Sequence, residues 1–416
     1  MTNFSTEHEN VTISINKNPE WNSNPMFQMP AWGEPLLVIS ILLSGLIITR
    51  RRGYKIFHNG KGYYNSFLDS EDSYDSSDNL LYDPDSEDDG QDSIAAAKRF
   101  PKRRSCCGAI FYTPNTSRFA NKTHSRFLQK FPFLIEMFYW VMSYLFYRLT
   151  KVISQIIFAR IGIWQVSEQH GLTLLWIEHE SWLRFFFPLK EISVQQWFMN
   201  GHQDALTFLN RAYALVHIPG TVSFIAWFYY VAPNHSVFAV ARRTLTLTSW
   251  FAFITFSFYP CMPPRLLPKE YGFLDSVRHD NAESIWMSGK YVNSLAAMPS
   301  MHFGWSFIIG CSILHYSGLF RRTLVKGEVR KSLPWKIFYL LLAIAYPTLV
   351  LTAIIATANH YWLDAVVAVF VVIASFICNK IFFVLLPIED FLFWILRAEK
   401  PIPSTGERFH QRGGNP

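Results

Sequence analysis

The chain has 416 residues, half of them hydrophobic and only 17% charged, against about 25% charged in an average soluble domain. With 37 Phe, 19 Tyr and 14 Trp, it is too apolar for a disordered protein and a poor match to a soluble enzyme. The net charge of +7 conceals a division, because residues 69–92 hold 11 acidic residues and no basic one, leaving 20 acids against 38 bases elsewhere. That basic remainder is what loops facing an anionic membrane leaflet require.

Residues 1–34 are a polar tail with no apolar h-region, so no cleavable signal peptide is expected. The tail carries glycosylation sequons at Asn3 and Asn10. Residues 35–49 form a first, short transmembrane span. Residues 50–130 read as a cytosolic, largely disordered segment that contains the acidic tract, which is too polar to bury a core. Its Ser70, Ser73, Ser76, Ser77 and Ser86, set beside acids, are either phosphorylation substrates or part of an inert solvated tail. Cys106 and Cys107, next to a basic cluster, are candidates for acylation. Five cysteines in a chain of this length do not make a disulfide framework.

Uncharged runs at 212–241, 244–264, 303–320 and 337–359, with runs at 131–147 and 361–379 broken only by Glu136 and Asp364, give six further candidate spans. Residues 161–210 mix Trp164, Trp176, Trp182 and Trp197 with Glu178, Glu180, Arg184 and Lys190, and read as amphipathic helix lying in the interface. Orientation follows from short basic loops. Arg50 to Arg52, Arg242 with Arg243, and the cluster from Arg321 to Lys336 all fall on one side if seven spans alternate. That side is expected to be cytosolic, together with the tail 389–416, and the N-terminus then faces the lumen.

Ionisable groups at membrane depth are functional candidates by default. Ala297-Met298-Pro299-Ser300-Met301-His302 enters one span and Asn359-His360-Tyr361-Trp362-Leu363-Asp364 enters another. One span goes in and the next comes out between them, so His302 and His360 belong at the same membrane face. Arg265, after Pro263-Pro264, leaves its span on that face too. His360 and Asp364, four apart, share a helix face. A carboxylate there can accept a hydrogen bond from one ring nitrogen and leave the other unprotonated and aimed. A second histidine can protonate a leaving oxygen, and an arginine suits a phosphate. These are parts for phosphoryl transfer without a metal. No third histidine or carboxylate pair completes a metal site, so no metal and no cofactor is expected. His217, His235 and His315 read as ordinary interfacial histidines.

Pro299-Ser300-Met301-His302, followed by His360-x-x-x-Asp364, resembles the PAP2 superfamily of type 2 phosphatidic acid phosphatases. The fuller wording, with Phe303-Gly304-Trp305 and Asn359-His360-Tyr361-Trp362, is similar to the branch of inositol phosphorylceramide synthases and fungal inositolphosphotransferases. The resemblance spans about residues 131–388. It implies an all-α integral membrane fold, with a PAP2-like six-helix transmembrane core and one extra N-terminal span. It also implies His360 as the nucleophile forming a phosphohistidine, Asp364 as its orienter, and His302 as proton donor and then base. Ser300 and Arg265 would bind phosphate oxygens.

Two departures matter. The phosphatase pattern places a lysine where Phe258 stands and a Ser-Arg pair where Ala353 and Ile354 stand. A phosphate monoester carries nearly two negative charges at neutral pH, whereas a diester carries one, so the missing cations lean the reading toward a phospholipid donor. Lys290 and Arg278, in the same lumenal loop, are candidates to replace them. The expected activity is a lipid phosphotransferase of the endomembrane system (endoplasmic reticulum or Golgi) that acts at a lumenal site on phospholipid or sphingolipid, with no nucleic-acid partner. A lipid phosphate phosphatase on the same scaffold, or an inactive transporter or scaffold, remains the alternative.

Overall fold

The computed structural model describes residues 32–52, 54–57, 101–106, 109–158, 162–276, 294–321, 323 and 330–406. Asn3, Asn10, the acidic tract, Cys107, Arg278 and Lys290 lie outside the described residues. Helices dominate. In chain order they are α1 (Gly33–Ile48), α2 (Thr123–Lys130), α3 (Leu134–Ile157), α4 (Ile163–His179), α5 (Glu191–Met199), α6 (Gln203–Val231), α7 (His235–Phe258), α8 (Met301–Ser317), α9 (Leu333–Ala356), α10 (Trp362–Ile377) and α11 (Leu386–Ile395). One antiparallel hairpin, β1 (Lys102–Cys106) with β2 (Ala109–Thr113), is the only sheet among the described residues.

The helices bury small hydroxyl residues among an apolar core and leave many large apolar side chains exposed. Thr244, Thr248, Ser249, Ser257, Ser306 and Ser375 are buried, whereas Val141, Leu145, Ile156, Leu341, Ile344, Phe370 and Ile377 are exposed. Most of these hydroxyls satisfy themselves within their own helix, as Ser249 does on Leu245 O at 2.9 Å and Ser375 on Val371 O at 2.7 Å. This is the distribution expected where the surrounding solvent is hydrocarbon. Of the described helices α9 alone is long and apolar enough to cross a bilayer unbroken. Two bent pairs qualify if each is one span: the halves of α6, at 52°, and α10 with the segment 379–395, at 53°. The apolar stretch Pro35–Ile48 is shorter. These helices mark the chain as a membrane protein. The long helices α3 and α7 fall short in apolarity, because α3 carries Glu136, Arg148 and Lys151 and α7 carries Arg242 and Arg243.

The uncharged run 212–241 is not one span. It breaks at Ala232-Pro233-Asn234, where proline cannot continue the helical ladder and the Asn234 side chain caps α7 by accepting from Val237 N at 3.0 Å. Arg242 and Arg243 therefore sit two turns inside α7 rather than in a loop before it. Arg242 reaches Glu136 of α3 at 3.3 Å and lies over the Tyr139 ring, and Arg243 lies over Phe383. Pro219 stands inside α6, near the bend. Helices α8 and α9 cross closely, since a Cβ on Gly310 would stand 2.6 Å from Ala343 O and 2.8 Å from Pro347 Cγ.

The end of the segment expected to be disordered is folded. The hairpin meets α11 through Thr113 Oγ1, which donates to Asp390 Oδ2 at 2.8 Å, and the C-terminal segment ties α2 to the end of α1. Gln129 accepts from Arg51 and from Ile402 N, Ser125 Oγ accepts from Glu399 N, and Ser404 Oγ donates to Thr49 O. Composition missed this because the partners in the C-terminal segment lie more than 270 positions away.

The chain order fixes which end of the bundle holds the two motifs. Helix α8 runs away from Ser300, α9 returns to end at Ala356, and α10 leaves again from Tyr361. The basic residues Arg321 and Lys331 bracket the turn at the opposite end.

Candidate active site

Three segments meet at one end of the bundle: the exit from α7 (Pro260 to Leu267), the entry to α8, and the turn between α9 and α10. A buried apolar cluster of Leu174, Cys261, Met262, Leu267, Phe273, Leu295, Ala297, Ala358 and Tyr361 forms its floor. Backbone bonds lace the segments together: Cys261 N to Leu295 O at 2.8 Å, Ala297 N to Cys261 O at 3.2 Å, Arg265 N to Ala358 O at 2.9 Å and Ser300 N to Asp364 O at 3.2 Å.

The turn that presents His360 is held in an uncommon shape. Ala358 has φ of 51°, the left-handed region, and is fully buried. An L-residue there is disfavoured by roughly 1–2 kcal/mol, and the surrounding bonds hold it. Asn359 N and His360 N both reach back to Ile354 O, at 3.0 and 3.2 Å. The chain can thus reverse between two helices within five residues.

His360 is buried, and its Nδ1 faces two acceptors, Ala297 O at 2.8 Å and Asp364 Oδ2 at 3.3 Å. The expected carboxylate partner is present, but the carbonyl is the nearer one. Both acceptors call for a proton on Nδ1, which leaves Nε2 as the unprotonated nitrogen; Nε2 makes no hydrogen bond among the described residues. Asp364 Oδ2 also accepts from Tyr361 N at 2.9 Å and so closes the first turn of α10.

His302, in the first turn of α8, brings its ring centroid to 5.7 Å from that of His360. Tyr213 of α6 stacks on it at 4.3 Å, with its hydroxyl 3.5 Å from His302 Nδ1. Ser300, almost fully buried, is the N-cap of α8, its Oγ accepting from Phe303 N at 3.3 Å. Its hydroxyl hydrogen is left for another acceptor, and the α8 N-terminus is a favourable place for an anion. Arg265 is only 7% exposed and is committed on two atoms. Its Nε donates to Asn359 Oδ1 at 2.9 Å, and its Nη1 donates to both oxygens of Asp275 at 3.0 and 2.9 Å.

The structure therefore brings His302, Ser300, His360, Asp364 and Arg265 to one end of the fold, and Lys290 and Arg278 lie outside the described residues. The sequence reading did not find Asp275, Asn359 or Tyr213 as members of this neighbourhood. Asn359 was within reach, standing beside His360. Asp275 and Tyr213 carry no local signal, because only the tertiary fold takes them to Arg265 and His302.

A second buried polar cluster adjoins the site. Glu178, His179 and Glu191 place one ligating atom each within 4.8 Å of one another. Glu178 and Glu191 are fully buried, although the sequence reads residues 161–210 as amphipathic helix lying in the interface. Burial, then contact with Glu191 and its charge, pushes the Glu178 carboxyl far up from the usual carboxylate range. Burial pushes Glu191 the same way, but hydrogen bonds from His179 and Glu178 outweigh it and hold Glu191 below its ordinary value. The buried amide positions of α10 explain why these acids turn inward, since each accepts a backbone N–H of that helix.

Residues 176–378 match a family model described as PAP2 superfamily. The match takes in Arg265, Asp275, Ser300, His302, Asn359, His360 and Asp364. No curated protein and no solved structure matches the chain.

Proposed function

We propose that the chain is a membrane-embedded lipid phosphotransferase that moves a phospho-head-group, such as phosphoinositol, between lipids through a phosphohistidine on His360. The PAP2 match supports phosphatase or phosphotransferase chemistry. The observation that carries the reading is the His302–His360 pair, 5.7 Å between ring centroids, with His360 Nδ1 occupied and Nε2 available. From such positions one ring nitrogen can come within about 3–3.5 Å of a phosphorus atom while the other faces an oxygen bonded to it.

In the first step the His360 Nε2 lone pair attacks phosphorus. The P–O bond to the donor's diacylglycerol oxygen breaks, and His302 delivers the proton to that oxygen. In the second step neutral His302 takes the proton of the acceptor hydroxyl, whose oxygen attacks phosphorus. The P–N bond breaks and both histidines return to their starting states. Asp364 steadies the imidazolium character that develops on His360, Ser300 donates to a phosphoryl oxygen, and Arg265 faces the charge. The lean from hydrolysis toward transfer gains support from Asp275, whose carboxylate already neutralises Arg265 and leaves less positive charge for a dianionic monoester.

In this reading α3, α6, α7, α8, α9 and α10 are the six core spans, α1 is the extra one, and the site opens on the lumenal side of an endomembrane. Helices α8 and α10, of 17 and 16 residues, reach about 25 Å at 1.5 Å per residue. A site at their N-terminal ends then lies close to the hydrocarbon boundary, where lipid head-groups sit. The test is a reconstituted assay with labelled phosphatidylinositol, with and without ceramide or another hydroxyl-bearing lipid acceptor. Label moving to the acceptor lipid, and absent with His360→Ala, supports transfer. Label released to water as the main product whatever acceptor is present would replace it with hydrolysis.

A further inference from the structure

We propose that Glu178 and Glu191, with His179 behind them, are positioning residues: a buried hydrogen-bonded clamp on the first turn of α10 that aims His360. The inference rests on the reading of His360 as nucleophile. Tyr361 N, Trp362 N and Leu363 N are orphan donors at the start of α10. Each goes to a different carboxylate: Tyr361 N to Asp364 Oδ2 at 2.9 Å, Trp362 N to Glu191 Oε1 at 3.3 Å, and Leu363 N to Glu178 Oε1. Only the first of these acids belongs to α10. Glu178 comes from the last turn of α4 and Glu191 from the first residue of α5. The Trp362 ring adds another tie to the same loop, with Nε1 donating to Leu189 O at 2.8 Å.

One cap at a helix end is ordinary. Three carboxylates on three successive amides, immediately after His360, is more than helix stability needs. The arrangement also raises a charge problem, because two of these acids are fully buried side by side and like charges in contact do not both ionise. The fold's own bonds say where the compensating proton goes. Glu191 spends its second oxygen on His179 Nε2 at 2.8 Å. The second oxygen of Glu178 faces no donor within the described residues. A proton on that oxygen turns it into a donor toward Glu191, in line with the upward push on the Glu178 carboxyl. Glu178 then accepts from Leu363 and donates to Glu191, while ionised Glu191 accepts from Glu178, His179 and Trp362. A resident metal ion is the weaker account of the same three residues. Both glutamates already spend an oxygen on the backbone, and His179 meets Glu191 at direct hydrogen-bond distance.

The clamp acts on catalysis through geometry. Trp362 and Leu363 follow His360 by two and three positions, and Ser300 N is bonded to Asp364 O, so the helix entry sets His360 and Ser300 together. A displacement of about 1 Å at a reacting atom costs on the order of a hundredfold in rate.

The experiment uses the full chain in detergent or liposomes and measures kcat, KM and melting temperature for transfer from labelled phosphatidylinositol to ceramide. Variants are Glu178→Gln, Glu178→Ala, Glu191→Gln and His360→Ala. Gln at 178 keeps one acceptor and one donor in place and is expected to stay within about threefold of wild type. Glu178→Ala and Glu191→Gln are expected to lower kcat by about 10–100-fold with KM within about twofold. Equal damage from Gln and Ala at 178 would overturn the inference. So would wild-type kcat in both Glu178→Ala and Glu191→Gln while His360→Ala is dead, or a stoichiometric divalent metal in the wild-type protein that Glu178→Gln loses. Full activity of His360→Ala would instead remove the phosphohistidine reading, and the clamp's purpose with it. If Glu178→Ala fails to fold, the contrast of Glu178→Gln with Glu191→Gln, both near-isosteric, decides alone.

Discussion

His302 and His360, 58 positions apart in the chain, stand with their imidazole centroids 5.7 Å apart. Their roles differ by surroundings. His360 is fixed through Nδ1 by a carbonyl and a carboxylate, whereas His302 is held by the stacked Tyr213 ring and a long contact to its hydroxyl. The ring whose Nδ1 is fixed by a carbonyl and a carboxylate suits the nucleophile, and the one stacked on Tyr213 is left for the proton carrier, which must change state twice per turnover. His360→Ala is expected to abolish transfer and all trapped phosphoenzyme. His302→Ala is expected to slow turnover by about 10²–10⁴-fold. Rapid quenching with labelled phosphatidylinositol should then show no labelled protein for the first variant and slowed labelling for the second. Normal labelling of His360→Ala would reverse the assignment.

Asp364 is one of two acceptors for His360 Nδ1, and the farther one. Where a carboxylate is the sole orienter, its amide replacement loses about 10⁴ in kcat through the wrong tautomer. Here Ala297 O still fixes the tautomer, so Asp364→Asn is expected to lose less, about 10–100-fold. Asp364→Ala also uncaps Tyr361 N, which adds roughly 1 kcal/mol of instability. Steady-state kinetics with thermal melting separates the two effects; a loss near 10⁴ for the amide would mean that the carbonyl contact does not serve as an orienter.

Arg265 shares its Nη1 between the two oxygens of Asp275. Removing that carboxylate frees positive charge for substrate. Asp275→Asn is expected to raise the rate on a phosphate monoester, such as phosphatidic acid, relative to phosphatidylinositol by about tenfold, the worth of one charge contact of about 1.4 kcal/mol. Arg265→Lys, which loses the planar fork, is expected to weaken both substrates. The ratio of kcat/KM values is the readout, and an unchanged ratio in Asp275→Asn would show that Asp275 does not set donor charge.

How much of this was legible beforehand follows from where the information lies along the chain. The His302 and His360 convergence was readable, because one span out and one span back between the two motifs forces them to the same end. Asp364 was readable from its spacing of four. The boundary at Ala232-Pro233-Asn234 was missed because the run across it is uncharged, and hydropathy is blind to a break made by a proline and an asparagine cap. Glu178 was read as part of an interfacial segment, and Glu191 was not singled out, for a related reason. A glutamate beside tryptophans looks like an interfacial face, and only the orphan amides of a helix some 170 positions later explain why it turns inward. The strap of the C-terminal segment on Arg51, Gln129 and Ser125 was out of reach on the same ground.

The turn carrying Ala358 makes a stability prediction in which several effects compete. Glycine at this left-handed position relieves about 1–2 kcal/mol of strain. It also gives up a fully buried methyl, worth about 0.8 kcal/mol, and adds about 0.4–1 kcal/mol of unfolded-chain entropy. The sum is near zero, so Ala358→Gly is expected to melt within a few degrees of wild type and keep activity. Ala358→Val keeps no such balance, since a β-branched residue is a genuine outlier at positive φ and the position is fully buried. A marked loss of melting temperature and activity is expected for valine. Valine tolerated as well as glycine would mean that the turn before His360 is not held at φ of 51°.

Gly171 of α4 allows the close approach on which the floor of the site depends. A Cβ there would stand 2.8 Å from Met262 O and 2.8 Å from the Tyr361 hydroxyl, the two atoms that are themselves hydrogen-bonded at 2.9 Å. Neither is the end of a long flexible chain: one is backbone and the other a fully buried phenol. Gly171→Ala must push α4 away from Tyr361, and overpacking of this kind costs about 1–3 kcal/mol. The same displacement is transmitted to the residue beside His360, so kcat is expected to fall together with the melting temperature. Gly310→Ala, at the distant crossing of α8 and α9 with its own close contact to Ala343 O, serves as the comparison. It is expected to lower the melting temperature similarly while kcat of the folded fraction stays near wild type. If Gly171→Ala lowered stability alone, Tyr361 would be a packing residue with no bearing on the aim of His360.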